Sequence, residues 1–199
     1  MVALEPNQKT VTRFLRELTR DWSSGEMLEI RCLREHYKPH STRFTLHALD
    51  EASKHISAMN GTHNIYACIN PVPDMTIGSA KDNDINRSFF AFVDADDKGA
   101  ADRARSFDAF EIAMEVITGT TPHLRNHIYY RFDEPITDMQ QWKALQRALI
   151  ENLGTDVSIH NPSRIMRVAG TISYPSKAKV NRGYKTELTR LIIGGQYAE

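Results

Sequence analysis

The sequence predicts a single α+β domain in which helices cover one or both faces of a mainly antiparallel sheet. The chain has 199 residues, of which 41% are hydrophobic, so it is long enough for one sizeable core and short for two independent ones. Segments with the apolar pattern of strands are interspersed with segments of helical periodicity. There is no internal repeat and no low-complexity tract, which argues against a repeat architecture.

Two periodicities in the apolar residues define the predicted elements. Where apolar residues recur every three or four positions we expect helices, over residues 7–22, 50–61, 99–117 and 137–154. Where they alternate or run continuously over a short stretch we expect strands, over residues 27–33, 42–49, 64–70, 88–94, 123–132, 164–173 and 184–193.

Local end signals support the helices. Thr10 is a candidate cap near the start of the first helix, and Asn60 and Gly61 follow the second. The third helix is predicted from its periodicity, with apolar positions that include Phe107, Phe110, Ile112 and Met114. The fourth has Thr137 as its expected N-cap and Gly154 as its stop.

The middle of the chain predicts two buried strands joined by a long loop. Residues 64–70 and 88–94 are apolar and rich in aromatic or β-branched side chains, as expected of central strands that pair within one sheet. Residues 71–87 between them carry prolines, a glycine and scattered charges, so they are predicted to be a loop. Loops of this length in a compact domain are often functional.

The overall charge excludes little. Twenty-five basic and 25 acidic residues balance to a formal net charge of zero, so global charge indicates no partner. The N-terminus lacks the pattern of a secretion signal, and no stretch is apolar enough to span a membrane. Cys32 and Cys68 form neither a CxxC motif nor a zinc-binding pattern. We therefore expect a reduced, cytoplasmic setting.

The stretch "FFAFVDADD" places two carboxylates at the end of an apolar strand. Side chains alternate along a strand, so Asp94 and Asp96 should share a face, with Cα atoms roughly 6.6 Å apart, while Ala95 points into the opposite layer. Two neighbouring anions at the end of a buried strand are costly unless a cation lies between them, and Mg²⁺ and Mn²⁺ prefer such oxygen ligands. The alternative is a solvated turn, or a helix cap supplied by Asp97.

The strand over residues 123–132 predicts a basic face. Its alternation places Arg125, His127, Tyr129 and Arg131 together. The small-residue turn "TGTTP" comes just before it and would let a ligand approach the backbone. A histidine and an arginine beside paired carboxylates suit a phosphate chain that a metal contacts from the other side. The alternative for His127 is an ordinary surface histidine on a strand.

The C-terminal part of the chain hides a local excess of positive charge. Between Val157 and Arg190, Glu187 is the only acid, whereas seven basic residues recur: Arg164, Arg167, Lys177, Lys179, Arg182, Lys185 and Arg190. Asp156 comes just before this strip. A basic strip beside an acidic metal site suits an enzyme that processes a polyanion. The alternative is a solvated charged edge that discourages aggregation.

The order of these motifs resembles that of the archaeo-eukaryotic primase superfamily, and particularly the primase-polymerase domains of plasmids, phages and other mobile elements. The likeness covers residues 60 to 190. In that family motif I is a DxD, matched by Asp94 and Asp96, and motif II centres on a histidine, matched by His127. Motif III supplies a further carboxylate, for which Asp156 is the candidate and Glu151 the main rival.

Two further features bear on this resemblance. An "R-x-x-R-x-x-G-T" segment follows motif III, matched by Arg164 and Arg167. Many members have a glycine-rich "SGxGxH" at motif II, whereas this chain has Arg125 and Asn126 before the histidine, so its nucleotide contact there differs.

The resemblance implies the fold and activity of this family. The expected fold is an RRM-like catalytic module over residues 61–199, packed with an N-terminal α/β module over residues 1–60. The expected activity is template-directed nucleotidyl transfer with two Mg²⁺ or Mn²⁺ ions held by Asp94, Asp96 and Asp156. The residues expected to bind the nucleotide or other phosphates are His127, Arg125, Arg164, Arg167 and Lys177.

The resemblance also implies partners and an origin. These are a single-stranded DNA template, NTP or dNTP substrates, and a helicase domain or another replication protein. The expected setting is the cytoplasm of a bacterium, with the protein encoded by a plasmid or a phage.

Two other classes of function remain open from the sequence. One is a single-strand-binding module with an inactive site, in which Tyr66 and Tyr129 are stacking platforms. The other is a metal-dependent nuclease or a replication initiator that nicks DNA. A rolling-circle initiator needs two histidines one apolar residue apart, and His123 and His127 have the wrong spacing.

Overall fold

The structure is a computed structural model that describes residues 4–198. Its α-helices are α1 (Gln8–Leu18), α2 (Leu49–Met59), α3 (Ala100–Arg105), α4 (Met139–Leu153) and α5 (Lys177–Asn181). Its strands are β1 (Glu26–Leu33), β2 (His40–Thr45), β3 (Asn64–Cys68), β4 (Val72–Pro73), β5 (Ser88–Ala95), β6 (Glu111–Gly119), β7 (Arg125–Ile136), β8 (Ile165–Arg167), β9 (Ile172–Ser173), β10 (Glu187–Leu188), β11 (Arg190–Ile193) and β12 (Gln196–Tyr197). None of the helices within residues 4–198 combines the length and apolar character that a membrane span requires.

The strands form two five-stranded sheets and one small ladder. The first sheet has the order β2-β1-β3-β8, with β4 pairing to β1 as well. The second has the order β12-β11-β6-β7-β5, and β9 pairs with β10 separately. Every pairing is antiparallel, so the predicted α+β class and the mainly antiparallel pairing are confirmed.

One continuous core joins the two sheets. Its buried side chains come from α1, from the first sheet and from the second, and include Phe14, Ile30 and Tyr129. The rings of Phe14 and Tyr129 meet edge to face at 6.4 Å between centroids. The first sheet combines β1 and β2, from before residue 60, with β3, β4 and β8, from beyond it.

The structure refines the predicted helix ends. Asn7, and not Thr10, caps α1, because its side chain accepts a hydrogen bond from the Thr10 N–H at 3.1 Å. Asp138, and not Thr137, caps α4, accepting from the amides of Gln140 and Gln141. Gly154 ends α4 as predicted, with a left-handed φ of 58° that suits a residue without a side chain.

The long helix predicted over residues 99–117 is wrong. Only α3 is helical there, and residues 111–119 form β6, which pairs with β7 on one side and β11 on the other. The β-branched side chains in this stretch favour a strand, and pairing on both sides overrides the helical spacing of its apolar residues. Phe107 and Phe110 lie in the connection between α3 and β6.

The prediction that residues 64–70 and 88–94 pair within one sheet is also wrong. They form β3 and β5, which belong to different sheets, and β5 is an edge strand of its sheet rather than a central one. Its apolar character has another cause: both of its faces are buried and α4 packs along it. The run of apolar residues therefore reflects the burial of both faces of β5, and not a central position in the sheet.

A buried carboxylate fixes the long loop over residues 71–87. Glu29 is 0% exposed and accepts hydrogen bonds from Arg31 Nε at 2.7 Å and Arg43 Nε at 3.1 Å. It also accepts from the backbone N–H of Ala80 at 3.0 Å, while Arg43 donates to the carbonyls of Thr76 and Gly78. The loop is therefore held against the first sheet by a satisfied buried ion network.

Candidate active site

The site is built at the end of β5, where it pairs with β7. Asp94 lies directly opposite His127 in the register of this pair, so both side chains occupy one face of the second sheet. His127 Nε2 is 3.7 Å from Asp94 Oδ1. The predicted proximity of the DxD carboxylate to the strand histidine is thus present in the fold.

Asp96 follows β5 and reaches the same cavity as Asp94. Lys179 of α5 lies on its other side, with Nζ 3.5 Å from Asp96 Oδ2, and the His123 ring contacts the Asp96 carbonyl oxygen. Ala95, between the two aspartates, is buried on the opposite face against Ala100 and Ala101 of α3. The alternation predicted for the D-A-D stretch is confirmed.

The two aspartates line a narrow cavity of about 110 Å³ together with mostly basic and aromatic side chains. Its lining residues are Tyr66, Asp94, Asp96, Thr118, Arg125, His127, Arg167, Ser173, Tyr174, Pro175, Lys179, Tyr184 and Lys185. Of the six other predicted site residues, Arg125, His127 and Arg167 line this cavity, whereas Asp156, Arg164 and Lys177 do not.

Burial sets the protonation of Asp94. Removal from water, reinforced by the carboxylates of Asp96 and Asp156, raises the pKa of Asp94 to about 8. One carboxylate oxygen of Asp94 is buried and has no hydrogen-bond partner among the described residues. Without a bound cation this carboxyl group is largely protonated at neutral pH.

Burial also keeps His127 neutral. It lowers the pKa of His127 to about 3, and the neighbouring cations Arg167 and Lys179 act in the same direction, against the opposing effect of Asp96. His127 Nδ1 is buried and has no partner among the described residues. A neutral imidazole can still donate one hydrogen bond to a ligand in the cavity.

Arg125 is held in place from two sides. Its guanidinium lies 4.2 Å from the centroid of the Tyr184 ring, and Nη2 is 3.2 Å from Glu187 Oε1. Glu187 also accepts hydrogen bonds from the backbone amides of Thr120 and Thr121, in the small-residue turn before β7. The buried Nε of Arg125 has no partner among the described residues, which leaves it available to a ligand.

Arg167 enters the cavity from the other sheet. It lies on β8, where its Nη1 donates to Asn64 Oδ1 at 2.6 Å and its Nη2 donates to the Tyr66 hydroxyl at 2.8 Å. The guanidinium also covers the Tyr66 ring at 4.8 Å. The fold therefore brings Arg167 close to the aspartates, as the basic strip predicted.

The remaining predicted residues, Asp156, Arg164, Lys177 and the rival Glu151, are not among those that line the cavity. The Asp156 backbone N–H donates to the Asp94 carbonyl at 3.3 Å, and the Asp156 carboxylate accepts from the Ser158 amide at 2.8 Å. Burial lowers the pKa of Arg164, and the negative charges of Asp156 and Asp94 oppose this shift. Lys177 is exposed at the start of α5, and Glu151, the rival third ligand, is exposed on α4.

Lys179 and Tyr184 line the cavity, although the sequence pattern does not mark either as a site residue. Lys179 lies on the short helix α5, which has no strong periodic signal, and Tyr184 follows that helix and donates its backbone N–H to the Lys179 carbonyl. Lys179 and Arg182 both lie 5.3 Å from the Tyr184 ring centroid. A tyrosine within a run of basic residues is the sequence signal that could have found this cluster.

The donor set fits a divalent cation held by two carboxylates. An Asp94 oxygen without a hydrogen-bond partner, in a cavity that the Asp96 side chain also lines, is the arrangement that a cation stabilises. Within residues 4–198 no three His, Cys, Asp or Glu side chains lie close enough to form a complete metal cluster. Mg²⁺ is commonly bound by one or two carboxylates, with waters and substrate phosphates completing its shell, so Asp94 and Asp96 fit that pattern.

The chain matches no protein-family model and no curated protein. Solved structures do match it. The primase-polymerase domain of cyanophage S-2L is 20% identical with a TM-score of 0.67, over 98% of this chain and 95% of that one. Primase RepB′ is 13% identical with a TM-score of 0.59, over 94% of this chain and 58% of that one.

A third structure, the catalytic domain of primase RepB′ in complex with initiator DNA, is 12% identical with a TM-score of 0.55, over 96% of this chain and 88% of that one. At these identities the likeness concerns the fold, which extends over nearly the whole chain. The chain therefore has the fold of the archaeo-eukaryotic primase-polymerase domain, as its sequence motifs predict.

Proposed function

We propose that the protein is a metal-dependent nucleotidyltransferase that makes primers on a DNA template and extends them. The observation that carries this proposal is the meeting of Asp94 and Asp96 with Arg125, Arg167 and Lys179 in one cavity. Paired carboxylates suit divalent cations, and convergent cations suit the phosphates of a nucleotide. The fold of primase-polymerase domains supports the same reading.

The carboxylates are proposed to hold the metal. Asp94 and Asp96 would bind Mg²⁺ or Mn²⁺, and Asp156, which lies beside Asp94 through a backbone hydrogen bond, is the proposed third ligand. Two ions bound there would lower the pKa of the attacking hydroxyl and stabilise the leaving pyrophosphate.

The cationic side chains are proposed to orient the nucleotide. Arg125 and His127 line the cavity, and Arg125 Nε and His127 Nδ1, which have no partner among the described residues, are proposed to donate to phosphate oxygens. Arg167 and Lys179 add charge from the first sheet and from α5. Arg164 and Lys177, which lie outside the cavity lining, are proposed to contact phosphates of the template or the nucleotide, which makes binding sensitive to salt.

The proposed partners follow from this chemistry. A single-stranded DNA template and NTP or dNTP substrates are required for the reaction, and a RepB′ primase domain has been seen with initiator DNA. A helicase or another replication protein would act alongside, and an origin in a bacterial plasmid or phage is consistent with the cyanophage neighbour.

The binding-module alternative loses one of its two supports. Tyr129, one of its expected stacking platforms, is 0% exposed and packs against Phe14, Phe90 and Phe92 in the core. A buried ring offers no face to a base, so that expectation is wrong. Tyr66 remains at the cavity, with one face covered by Arg167.

Incorporation of labelled nucleotide on a single-stranded DNA template tests the proposal. Wild type should give products only with Mn²⁺ or Mg²⁺, and Asp94→Asn and Asp96→Asn should abolish them. The matched control is Asp97→Asn, because Asp97 is the neighbouring exposed carboxylate and should be dispensable. Full activity in a folded Asp94→Asn protein would refute the proposal, and nicking of supercoiled plasmid with Mn²⁺ would favour a nuclease instead.

A further inference from the structure

The open edge of β5 is closed by groups outside the sheet. Trp142 Nε1 on α4 donates to the Phe90 carbonyl at 2.9 Å. One turn later, Gln146 Oε1 accepts from the Phe92 N–H at 3.2 Å while its Nε2 donates to the Phe92 carbonyl. These bonds replace the neighbouring strand that an edge otherwise lacks.

Gln146 makes a second connection at the same time. Its Nε2 also donates to the Ile159 carbonyl at 2.9 Å, and the side chain is 0% exposed. Ile159 closes the turn that begins at Asp156, since the Ile159 N–H bonds to the Asp156 carbonyl at 3.2 Å. One amide group therefore ties the metal-site strand to the segment that carries Asp156.

This amide occupies an apolar position. The other buried residues of α4 are Trp142, Leu149, Ile150 and Leu153, which form the helix face that packs on β5. A buried primary amide there is costly unless its donors and its acceptor are bonded, and at Gln146 they are. Leucine or methionine would satisfy packing alone, so packing does not account for a glutamine.

We infer that Gln146 is a positioning residue for the metal site, fixing the segment 156–159 against β5 so that the carboxylates of Asp94 and Asp156 face one cation. The inference rests on the proposed function. Two hydrogen bonds, one accepted from the Phe92 N–H and one donated to the Phe92 carbonyl, set the backbone of this residue, two positions before Asp94 and on the same face of the strand. The third sets Ile159, three residues after Asp156.

Mn²⁺ binding to the purified protein, without nucleotide or DNA, tests the inference by calorimetry or by electron paramagnetic resonance. Gln146→Met keeps the length and apolar packing of the side chain but removes the amide, and should weaken Mn²⁺ binding about tenfold, the usual scale for groups that orient metal ligands. Trp142→Phe is the matched control. It removes the bond to Phe90, four residues from Asp94, and leaves the segment 156–159 untouched.

The outcomes separate the inference from the proposed function. Both variants should lower the melting temperature, but only Gln146→Met should raise the Mn²⁺ dissociation constant. Equal Mn²⁺ affinity in wild type and folded Gln146→Met overturns the inference alone. Absence of Mn²⁺ binding in wild type overturns the proposed metal site and the inference with it. If Gln146→Met does not fold, Gln146→Asn, whose shorter amide cannot reach both Phe92 and Ile159, should show the same loss of affinity.

Discussion

The Asp94 carboxyl group makes the free energy of unfolding depend on pH. Burial and the neighbouring carboxylates of Asp96 and Asp156 raise its pKa from 3.8 to about 8. A raised pKa means that the folded protein holds this proton more tightly than the unfolded chain does. The contribution of Asp94 to stability is therefore fully present below pH 3.8 and is lost progressively as the pH rises through about 8.

Asp94→Asn should stabilise the metal-free protein above pH 8, because the amide carries no charge to bury. A gain of about 1 kcal/mol would raise the melting temperature by roughly 2–4 °C in a chain of this size. Differential scanning fluorimetry in EDTA at pH 8.5 and pH 4 would show the difference at the higher pH and its near disappearance at the lower one. Asp97→Asn, which removes an exposed charge, should leave the melting temperature unchanged at both pH values. A lower melting temperature for Asp94→Asn than for wild type at pH 8.5 would contradict the prediction.

The same proton competes with a metal ion. At pH values below the Asp94 pKa of about 8, binding of Mn²⁺ to Asp94 must release the proton. The Mn²⁺ dissociation constant should therefore fall about tenfold for each pH unit between pH 6 and pH 8 and level off above. Calorimetry across this range, in buffers of different ionisation enthalpy, would measure both the affinity and the released proton. A dissociation constant independent of pH would show that Asp94 is not a ligand.

The sequence predicts the direction of a side chain on a strand more reliably than the direction of a side chain on a short helix. Asp94, Asp96 and His127 follow from alternation in two neighbouring strands, and they meet in the structure. Lys177 and Lys179 lie on the five-residue helix α5, which is too short for the sequence pattern to predict which of its faces is turned toward the protein. Which of the two lysines faces the cavity depends on tertiary packing, and the structure places Lys179 there.

At the scale of elements, the limits of the sequence lie in long-range pairing. The N-terminal helix, the helix ending at Gly154 and most of the strands are predictable from local periodicity and caps. The strand β6 is not, because its apolar residues fit a helix until β7 and β11 pair with it from both sides. The edge position of β5 cannot be predicted either. Its sequence is as apolar as that of a central strand because Trp142 and Gln146 cover its open edge.

Substitution of Glu29 should release the loop over residues 71–87 from the first sheet and lower the free energy of unfolding. Glu29→Ala leaves two guanidinium groups and the Ala80 N–H without their shared acceptor, and removing one partner of a buried ion pair costs about 3–5 kcal/mol. Chemical denaturation should show this loss, and hydrogen exchange should show faster exchange over residues 74–87. The control is Glu35→Ala, at an exposed position in the same half of the chain. Unchanged exchange in the loop would show that Glu29 does not hold it.

At the scale of the whole molecule, the candidate site joins the two sheets. Asp94, Arg125 and His127 come from the second sheet, whereas Tyr66 and Arg167 come from the first. Arg167 is oriented within the first sheet by Asn64 and Tyr66. A nucleotide and a cation in the cavity would therefore contact both sheets, and their binding energy would stabilise the junction between them.

A nucleoside triphosphate with Mn²⁺ should accordingly raise the melting temperature of the wild type. At a hundredfold excess over the dissociation constant the gain is about 2.7 kcal/mol, which corresponds to a rise of roughly 5–10 °C for a chain of this size. Asp94→Asn removes a contact from the second sheet and Arg167→Gln removes one from the first, so each should lose most of the rise, measured against its own ligand-free melting temperature. Asp97→Asn should keep it. Retention of the full rise in Arg167→Gln would mean that the ligand is bound by the second sheet alone, and that the junction between the sheets is a structural contact rather than part of the site.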